Sequence, residues 1–385
     1  MTIIFWLSLF IIFYTYIGYG LILFVLVKIF RRSKPVVQEY ELPTLTIMVA
    51  AYNEEDFIRK KIENTLQLDY PSGRIKYLFV TDGSTDHTVD IIKEYSSVQL
   101  MHKDGRSGKI AAVHRAMQEV DTEIVVFTDA NTLLNTSALL KMARHYSDKK
   151  IGAVSGEKRV EVTETADATA AEGFYWRYES KLKMWDSMLY SIVGAAGELF
   201  SIRTALYQPV PSNSLLDDFM ISMCIAEKGY RILYEPEAYA MEKSSASIRE
   251  ELKRKVRISA GGIQSIIWLR SMLLPFKNPV LTWEYISHRV LRWTITPFLL
   301  LLSLVLNIWI VTAGASILYL ALLVAQVIFY CLALAGWFME AKEIRIKILF
   351  IPYYFCLMNY AVIAGIIRYM FTTQTGVWDK AKRKI

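Results

Sequence analysis

The stretches Tyr77-Leu78-Phe79-Val80-Thr81-Asp82-Gly83-Ser84 and Ile124-Val125-Val126-Phe127-Thr128-Asp129-Ala130-Asn131 share one pattern: a short apolar run, a threonine, an aspartate and a tight polar turn. A run of this kind bounded by turn residues reads as a buried strand. The same reading extends to its neighbours. Leu45 to Ala51 and Ile75 to Thr81 are strands, Glu54 to Leu66 and Thr88 to Tyr95 helices. Ile110 to Val120 is helical, Glu123 to Asp129 a strand, and Ser137 to Ser147 helical again. Strands alternating with helices predict an α/β unit with a parallel-rich sheet, covering about 42–250, whose ligand site lies at the strand carboxyl ends. Asp82 and Asp129 both stand just past such ends.

This unit lies between apolar stretches. Of 385 residues, 54% are hydrophobic and the mean hydropathy is positive, more than one soluble domain usually carries. The net charge of +7 comes from Lys and Arg clustered at the ends of apolar runs. That pattern suits anionic lipid headgroups and argues against a nucleic-acid partner. Cys224, Cys331 and Cys356 have no metal-ligand spacing, so neither a disulfide framework nor a zinc site is expected.

Ile3 to Val27 carries no charge and is long enough to cross a bilayer at about 20 residues per span. Lys28, Arg31, Arg32 and Lys34 follow it, which predicts a transmembrane helix over 1–30 with the following chain in the cytoplasm and the N-terminus outside. The charge order, the length of the run and the lack of an Ala-x-Ala-like site exclude a cleaved signal peptide. Further on, 251–293 is basic and amphipathic, with Trp268, Trp283, Trp293 and Pro275, and reads as interfacial helices. In 294–371, Ile295 to Val311 and Ala315 to Phe338 have span length and read as a helical hairpin. Ile348 to Met370 is interrupted by Pro352 and is read as interfacial or re-entrant, with the basic tail 372–385 cytosolic.

Asp129 with Asn131 offers two oxygen-bearing side chains from one tight turn, a pattern suited to Mg²⁺ or Mn²⁺ bridging to substrate phosphates. A lone Asp-Gly-Ser at Asp82 is equally an Asx turn or a helix cap, and Asp217-Asp218 before Phe219-Met220-Ile221 equally caps a helix. His102, His114 and His145 have no ligand spacing and read as surface or structural. The aromatic group Phe174, Tyr175, Trp176, Tyr178 and Trp185 reads as core, with stacking on a sugar the alternative.

Taken in order, Val49-Ala50-Ala51-Tyr52-Asn53-Glu54-Glu55, Asp82-Gly83-Ser84, Gly108-Lys109, Asp129-Ala130-Asn131, Gly194-Ala195-Ala196-Gly197 and Leu216-Asp217-Asp218-Phe219 resemble membrane-integrated family 2 glycosyltransferases. This group includes the chitin, cellulose, hyaluronan and poly-N-acetylglucosamine synthases. The resemblance implies a nucleotide-sugar-binding domain of the glycosyltransferase A type. It also implies that Ala51, Tyr52 and Glu54 bound the uridine pocket, that Asp82 contacts the base or ribose, and that Lys109 lies near the donor. Asp129 and Asn131 would take the metal and diphosphate, with Asn131 in place of a commoner second Asp. Asp217-Asp218 matches the family's Glu-Asp pair, which makes Asp218 the general base of an inverting displacement. Gly197 would line the acceptor site, with Glu198 nearby. At Arg254-Lys255-Val256-Arg257-Ile258 the family's Gln-x-x-Arg-Trp is altered. Arg257 keeps the cation for the diphosphate, and Arg254 joins it among the substrate-binding residues. The acceptor-lining Trp is replaced by Ile258, which puts processivity in question, while Gly261-Gly262 resembles the polyglucosamine synthase branch. The tail with Trp378 resembles the C-terminal segment of hyaluronan synthases, which lies beside the active site.

The expectation is an inverting, metal-dependent enzyme of the plasma membrane, multi-pass, with its catalytic domain cytoplasmic. It would move a sugar from a donor such as UDP-N-acetylglucosamine to a polysaccharide or lipid-linked acceptor. Membrane lipids and other polysaccharide-assembly proteins would be its partners. The alternatives are a single transfer to a polyprenyl-phosphate-linked acceptor, or a non-catalytic scaffold in polysaccharide export.

Overall fold

The computed structural model describes residues 1–30, 41–161, 168–243, 247–314, 316–342, 344 and 346–373, with the side chains of 161 and 168–176 outside that description. Eight strands form one sheet: β1 (Leu45–Ala51), β2 (Ile75–Asp82), β3 (Gln99–Lys103), β4 (Ile124–Asp129), β5 (Thr132–Leu134), β6 (Ile151–Glu161), β7 (Leu199–Arg203) and β8 (Arg231–Lys243), in the order β3-β2-β1-β4-β7-β6-β8-β5. The pairs β3–β2, β2–β1, β1–β4 and β6–β8 are parallel. β7 enters antiparallel to both β4 and β6, and β5 antiparallel to β8. The sheet is therefore mixed. The parallel half is the part anticipated from the sequence, and β3 and β5 to β8 were not.

The two faces are filled alternately. Met48, Val80, Val125 and Phe127 point into a core beneath the helices Lys109–Met117 and Asp217–Glu227. Ile47, Ile124 and Val126 point the other way, against Leu139, Met142 and Tyr146. Covering both faces favours apolar residues at nearly every position, which is why β1 and β4 read as apolar runs, with the hydroxyls of buried Thr46 and Thr128 hydrogen-bonded. Each such side chain, fully buried, contributes about 1.5–3 kcal/mol.

Among the described residues, three helices are long and apolar enough to cross a membrane: Thr2–Phe30, Ile317–Glu340 and Lys347–Phe371. A fourth candidate is a bent pair, Pro279–Trp293 with Thr296–Thr312, at 59°. This differs from the sequence reading in two ways. The Thr296–Thr312 segment is part of a broken element, and Pro352 does not interrupt the last helix. Pro352 lies inside Lys347–Phe371 and forgoes one intrahelical bond, yet the helix runs on to Phe371. In the N-terminal helix, Ser8 and Thr15 return their hydroxyls to Ile4 O and Ile11 O at 2.7 Å each, which satisfies them without water.

Packing joins these helices to each other and to the sheet unit. Phe5 packs with Leu306 and Ile310, and Trp6 Nε1 donates to Tyr319 Oη at 3.1 Å. Asn307 donates to Gln326 at 2.8 Å across the bundle. Gly365 lets the last helix press on Ile248–Trp268: a Cβ there would lie 2.5 Å from Ser259 Cβ and 2.8 Å from Val256 O. Tyr178 donates to Tyr16 O at 2.7 Å and Trp185 packs on Phe24, so these two aromatics seat the N-terminal helix. A buried His288, not singled out from the sequence, bridges Asp186 at 2.6 Å and Glu179 at 2.9 Å, where Arg289 and Arg292 also converge on Glu179.

Candidate functional site

The register sets the site. Ala51 pairs with Thr81 and Ala50 with Asp129, so Tyr52, Asp82 and Asp129 leave the sheet side by side. Asp82 is 4% exposed, and its Oδ2 accepts from Ser107 N at 2.7 Å and Gly108 N at 2.6 Å. Gly83 adopts φ 70°, and a Cβ there would meet Arg106 N at 2.8 Å, so this turn needs glycine to close on the Gly105–Arg106 segment. Asp82 Oδ1 is buried with no hydrogen-bond partner, 3.7 Å from the Arg115 guanidinium. A buried acceptor left open in this way fits an N–H or O–H brought by a ligand. Beside it, the Arg106 guanidinium stacks on Tyr52 at 3.9 Å from the ring centre. Glu54 N donates to Thr88 Oγ1 at 2.8 Å, at the entry to the Glu55–Leu66 helix.

The second group surrounds Lys109, the first residue of its helix. Its Nζ lies 2.7 Å from Asp129 Oδ1 and 3.9 Å from Asp217 Oδ2. Burial works against the Lys109 ammonium, but Asp129, Asp217 and Asp218 outweigh it and hold it above the usual lysine range. Burial also raises Asp129, partly countered by Lys109. Lys109, Asp217 and Gly197 line one cleft with Ala50 and Thr128.

Asp218 follows Asp217 in the first turn of the Asp217–Glu227 helix. Its carboxyl is pushed up to about 7, first by burial and then by Asp217. Gly197 makes room for it, since a Cβ there would lie 3.0 Å from Asp218 Oδ2. Gly194, at φ 83°, faces the Phe219 ring in the same way. Glu198 is salt-bridged to Lys158 at 2.5 Å, which outweighs the effect of burial and holds it below the usual carboxylate range.

Arg257 is electrostatically coupled to Asp217 and Asp218, with burial lowering it from its ordinary value. Arg254 pairs with Glu251 at 3.0 Å and also feels the charges of Glu242 and Glu198. The structure thus brings Lys109, Asp129, Gly197, Asp217, Asp218 and Arg257 together, with Asp82 and Tyr52 alongside and Arg254 near Glu198. Trp378 and the basic tail lie outside the described residues, as do Arg31, Arg32 and Lys34.

Lys61 was not anticipated. It is fully buried behind the Asp129 turn, and its ammonium is pushed down to about 7 by burial, with Asp129 pulling it back up. The signal was present in the sequence, because Ile58, Lys61, Ile62 and Thr65 share one face of a helix at spacings of three and four.

Residues 46–209 match the family model described as Glycosyl transferase family 2. The poly-beta-1,6-N-acetyl-D-glucosamine synthase of Staphylococcus aureus (strain MSSA476) is 24% identical over 243 residues, 61% of this chain and 58% of its own. The beta-monoglucosyldiacylglycerol synthase of Nostoc sp. is 29% identical over 182 residues, 44% of this chain and 37% of its own. The chain therefore spans less than two thirds of the length of these relatives. Among solved structures, the mannosyltransferase PcManGT from Pyrobaculum calidifontis, in complex with GDP-Man and Mn2+, has a TM-score of 0.71 at 20% identity, over 96% of this chain and 99% of its own. That is a likeness of fold.

Proposed function

We propose that the chain, whose residues 46–209 match the family 2 glycosyltransferase model, moves a sugar from a nucleoside-diphosphate sugar to a polysaccharide or lipid-linked acceptor at the membrane, inverting the anomeric centre. The observation that carries this is the placing of Asp218, with its proton affinity near neutrality, beside a cationic and acidic cluster at the ends of β1, β2 and β4. Asp82 Oδ1 takes a donor group of the nucleoside, and Tyr52 with Arg106 closes that pocket. Lys109 and Arg257 neutralise the diphosphate as charge gathers on its leaving oxygen. Asp218 accepts the proton of the acceptor hydroxyl while that oxygen attacks the anomeric carbon. A single displacement of this kind inverts the centre.

Among the described residues, no group of three or more His, Cys, Asp or Glu comes together to hold an ion on protein ligands alone. The residues fit a divalent ion in another form: Asp129 as the carboxylate, Asn131 as a neutral oxygen donor, and the substrate's phosphates completing the shell. Mg²⁺ or Mn²⁺ there would offset charge on the diphosphate, and Mn²⁺ with GDP-mannose in PcManGT supports this reading.

The second reading, one transfer to a lipid-linked acceptor, is favoured by Ile258 in place of an acceptor-lining Trp. Incubating the purified protein in lipid with radiolabelled uridine and guanosine diphosphate sugars, then sizing the product, separates the readings. A polymer ladder supports the synthase and a single lipid-extractable product the alternative. No transfer from any donor leaves only the scaffold.

A further inference from the structure

Lys61 has no exposed surface, although the helix carrying it has a solvent face on which a lysine could stand. An ammonium taken out of water persists only where fixed oxygens replace its hydration. Here Lys61 Nζ donates to Thr128 Oγ1 and to Thr132 O, each at 2.9 Å. These two residues are the posts on either side of Asp129-Ala130-Asn131. Thr132 Oγ1 in turn donates to Asp129 O at 3.0 Å, which cinches the turn from within. Thr128 Oγ1 donates to Glu198 O at 3.0 Å. Glu198 adjoins Gly197, the residue against which the Asp218 carboxylate rests.

One buried lysine thus ties the turn bearing Asp129 to the turn that seats Asp218. An uncharged chain of equal length would fill the space but leave Thr132 O and a lone pair of Thr128 without these bonds.

We propose that Lys61 is a positioning residue for sugar transfer, fixing the Asp129–Asn131 turn relative to Asp218 through Thr128 and Thr132 without touching substrate. This rests on the glycosyltransferase reading of the site. Groups that hold a ligand-bearing side chain from behind alter metal affinity or activity by about 10- to 100-fold when removed.

The test uses the full chain in lipid, with Lys61→Met and Thr128→Val, and three readouts: thermal unfolding, kcat and donor KM, and Mn²⁺ binding followed by electron paramagnetic resonance in the presence of the nucleoside diphosphate that supports transfer. For Lys61→Met, kcat and Mn²⁺ affinity are both expected to fall by about 10- to 100-fold, and Thr128→Val should move both in the same direction. The double variant should be little worse than either single one, since both act on one unit. A merely structural lysine would lower the unfolding temperature and the active fraction, with the Mn²⁺ affinity of the remaining fraction unchanged. That result overturns the proposal, as does full kcat in folded Lys61→Met. Should Lys61→Met fail to fold, undiminished kcat and Mn²⁺ affinity in Thr128→Val overturn it equally. Wild-type protein that transfers from no donor instead brings down the reading of the site itself.

Discussion

Asp217 and Asp218 open one helix turn side by side, and two neighbouring carboxylates in a half-buried cleft do not both lose their protons as readily as either would in water. Asp218 carries the cost, with its carboxyl raised to about 7. A base must be ionised to accept a proton, so kcat/KM is expected to rise with pH through about 7 and then level. Asp218→Asn should abolish transfer and leave donor binding nearly intact. Loss of nucleotide binding in that variant would instead place Asp218 on the donor side. The same shift bears on stability. A carboxyl whose folded value lies above its unfolded value favours the fold at low pH, and that contribution is lost as pH rises from about 4 towards 7. Asp218→Asn removes the penalty, so at pH 8 the variant should be more stable than wild type by about 1–2 kcal/mol, read as a higher melting temperature. Asp129 is the carboxylate of a turn whose oxygen donors suit a hard divalent ion. Transfer should cease in excess chelator and return with Mg²⁺ or Mn²⁺, and Asp129→Ala should abolish it. Undiminished turnover in chelator would refute the metal requirement.

At the scale of elements, what the sequence made legible follows from how each element is buried. The strands β1, β2 and β4 are covered on both faces, so their apolar runs announced themselves, and Asp82 and Asp129 fell at their ends as expected. β5 is three residues long, and β8 interleaves buried with partly or fully exposed positions and buries Glu235 beside Tyr234, which blurs any short apolar run. Pairings such as β6 with β8 join segments some 80 residues apart, a relation no local pattern carries. Lys61 shows a different limit: its helical period marked it as buried, but its acceptors, Thr128 and Thr132, come from another element. The final helix runs through Pro352, which the sequence suggested as an interruption. Its seat on Ile248–Trp268 depends on Gly365, where a Cβ would lie 2.5 Å from Ser259 Cβ and 2.8 Å from a backbone oxygen. Gly365→Val is therefore expected to force these helices apart, at a cost of about 1–3 kcal/mol. Activity should fall with it, because the displaced helix carries Arg257. A variant with unchanged melting temperature and rate would show that this contact is dispensable.

At the scale of the whole molecule, the contacts constrain how the chain threads a bilayer. Phe5 and Trp6 meet Ile310 and Tyr319, so the start of the N-terminal helix, the end of Thr296–Thr312 and the start of Ile317–Glu340 lie together. If Thr2–Phe30 crosses inward, the bent pair must come back to the outer side, and Ile317–Glu340 then crosses inward again. Gly336, near the end of that helix, abuts Leu349, which starts the last helix on the side of the sheet unit. Lys347–Phe371 has the length to cross, yet about 44% of its most apolar stretch is buried, against 6% for Ile317–Glu340. Through Gly365 its second half rests on the helix bearing Arg254 and Arg257, which ties it to the sheet unit. We therefore expect the tail beyond Phe371 on the cytoplasmic side, where its cations can meet nucleotide phosphates or anionic lipid. In intact cells, a cysteine placed beyond Lys384 should resist a membrane-impermeant thiol reagent, while one placed before Ile3 should react. The native Cys224, Cys331 and Cys356 are replaced first so that only the added thiol reports. Labelling at both ends from outside would mean that the last helix crosses fully, and would overturn the cytosolic-tail arrangement.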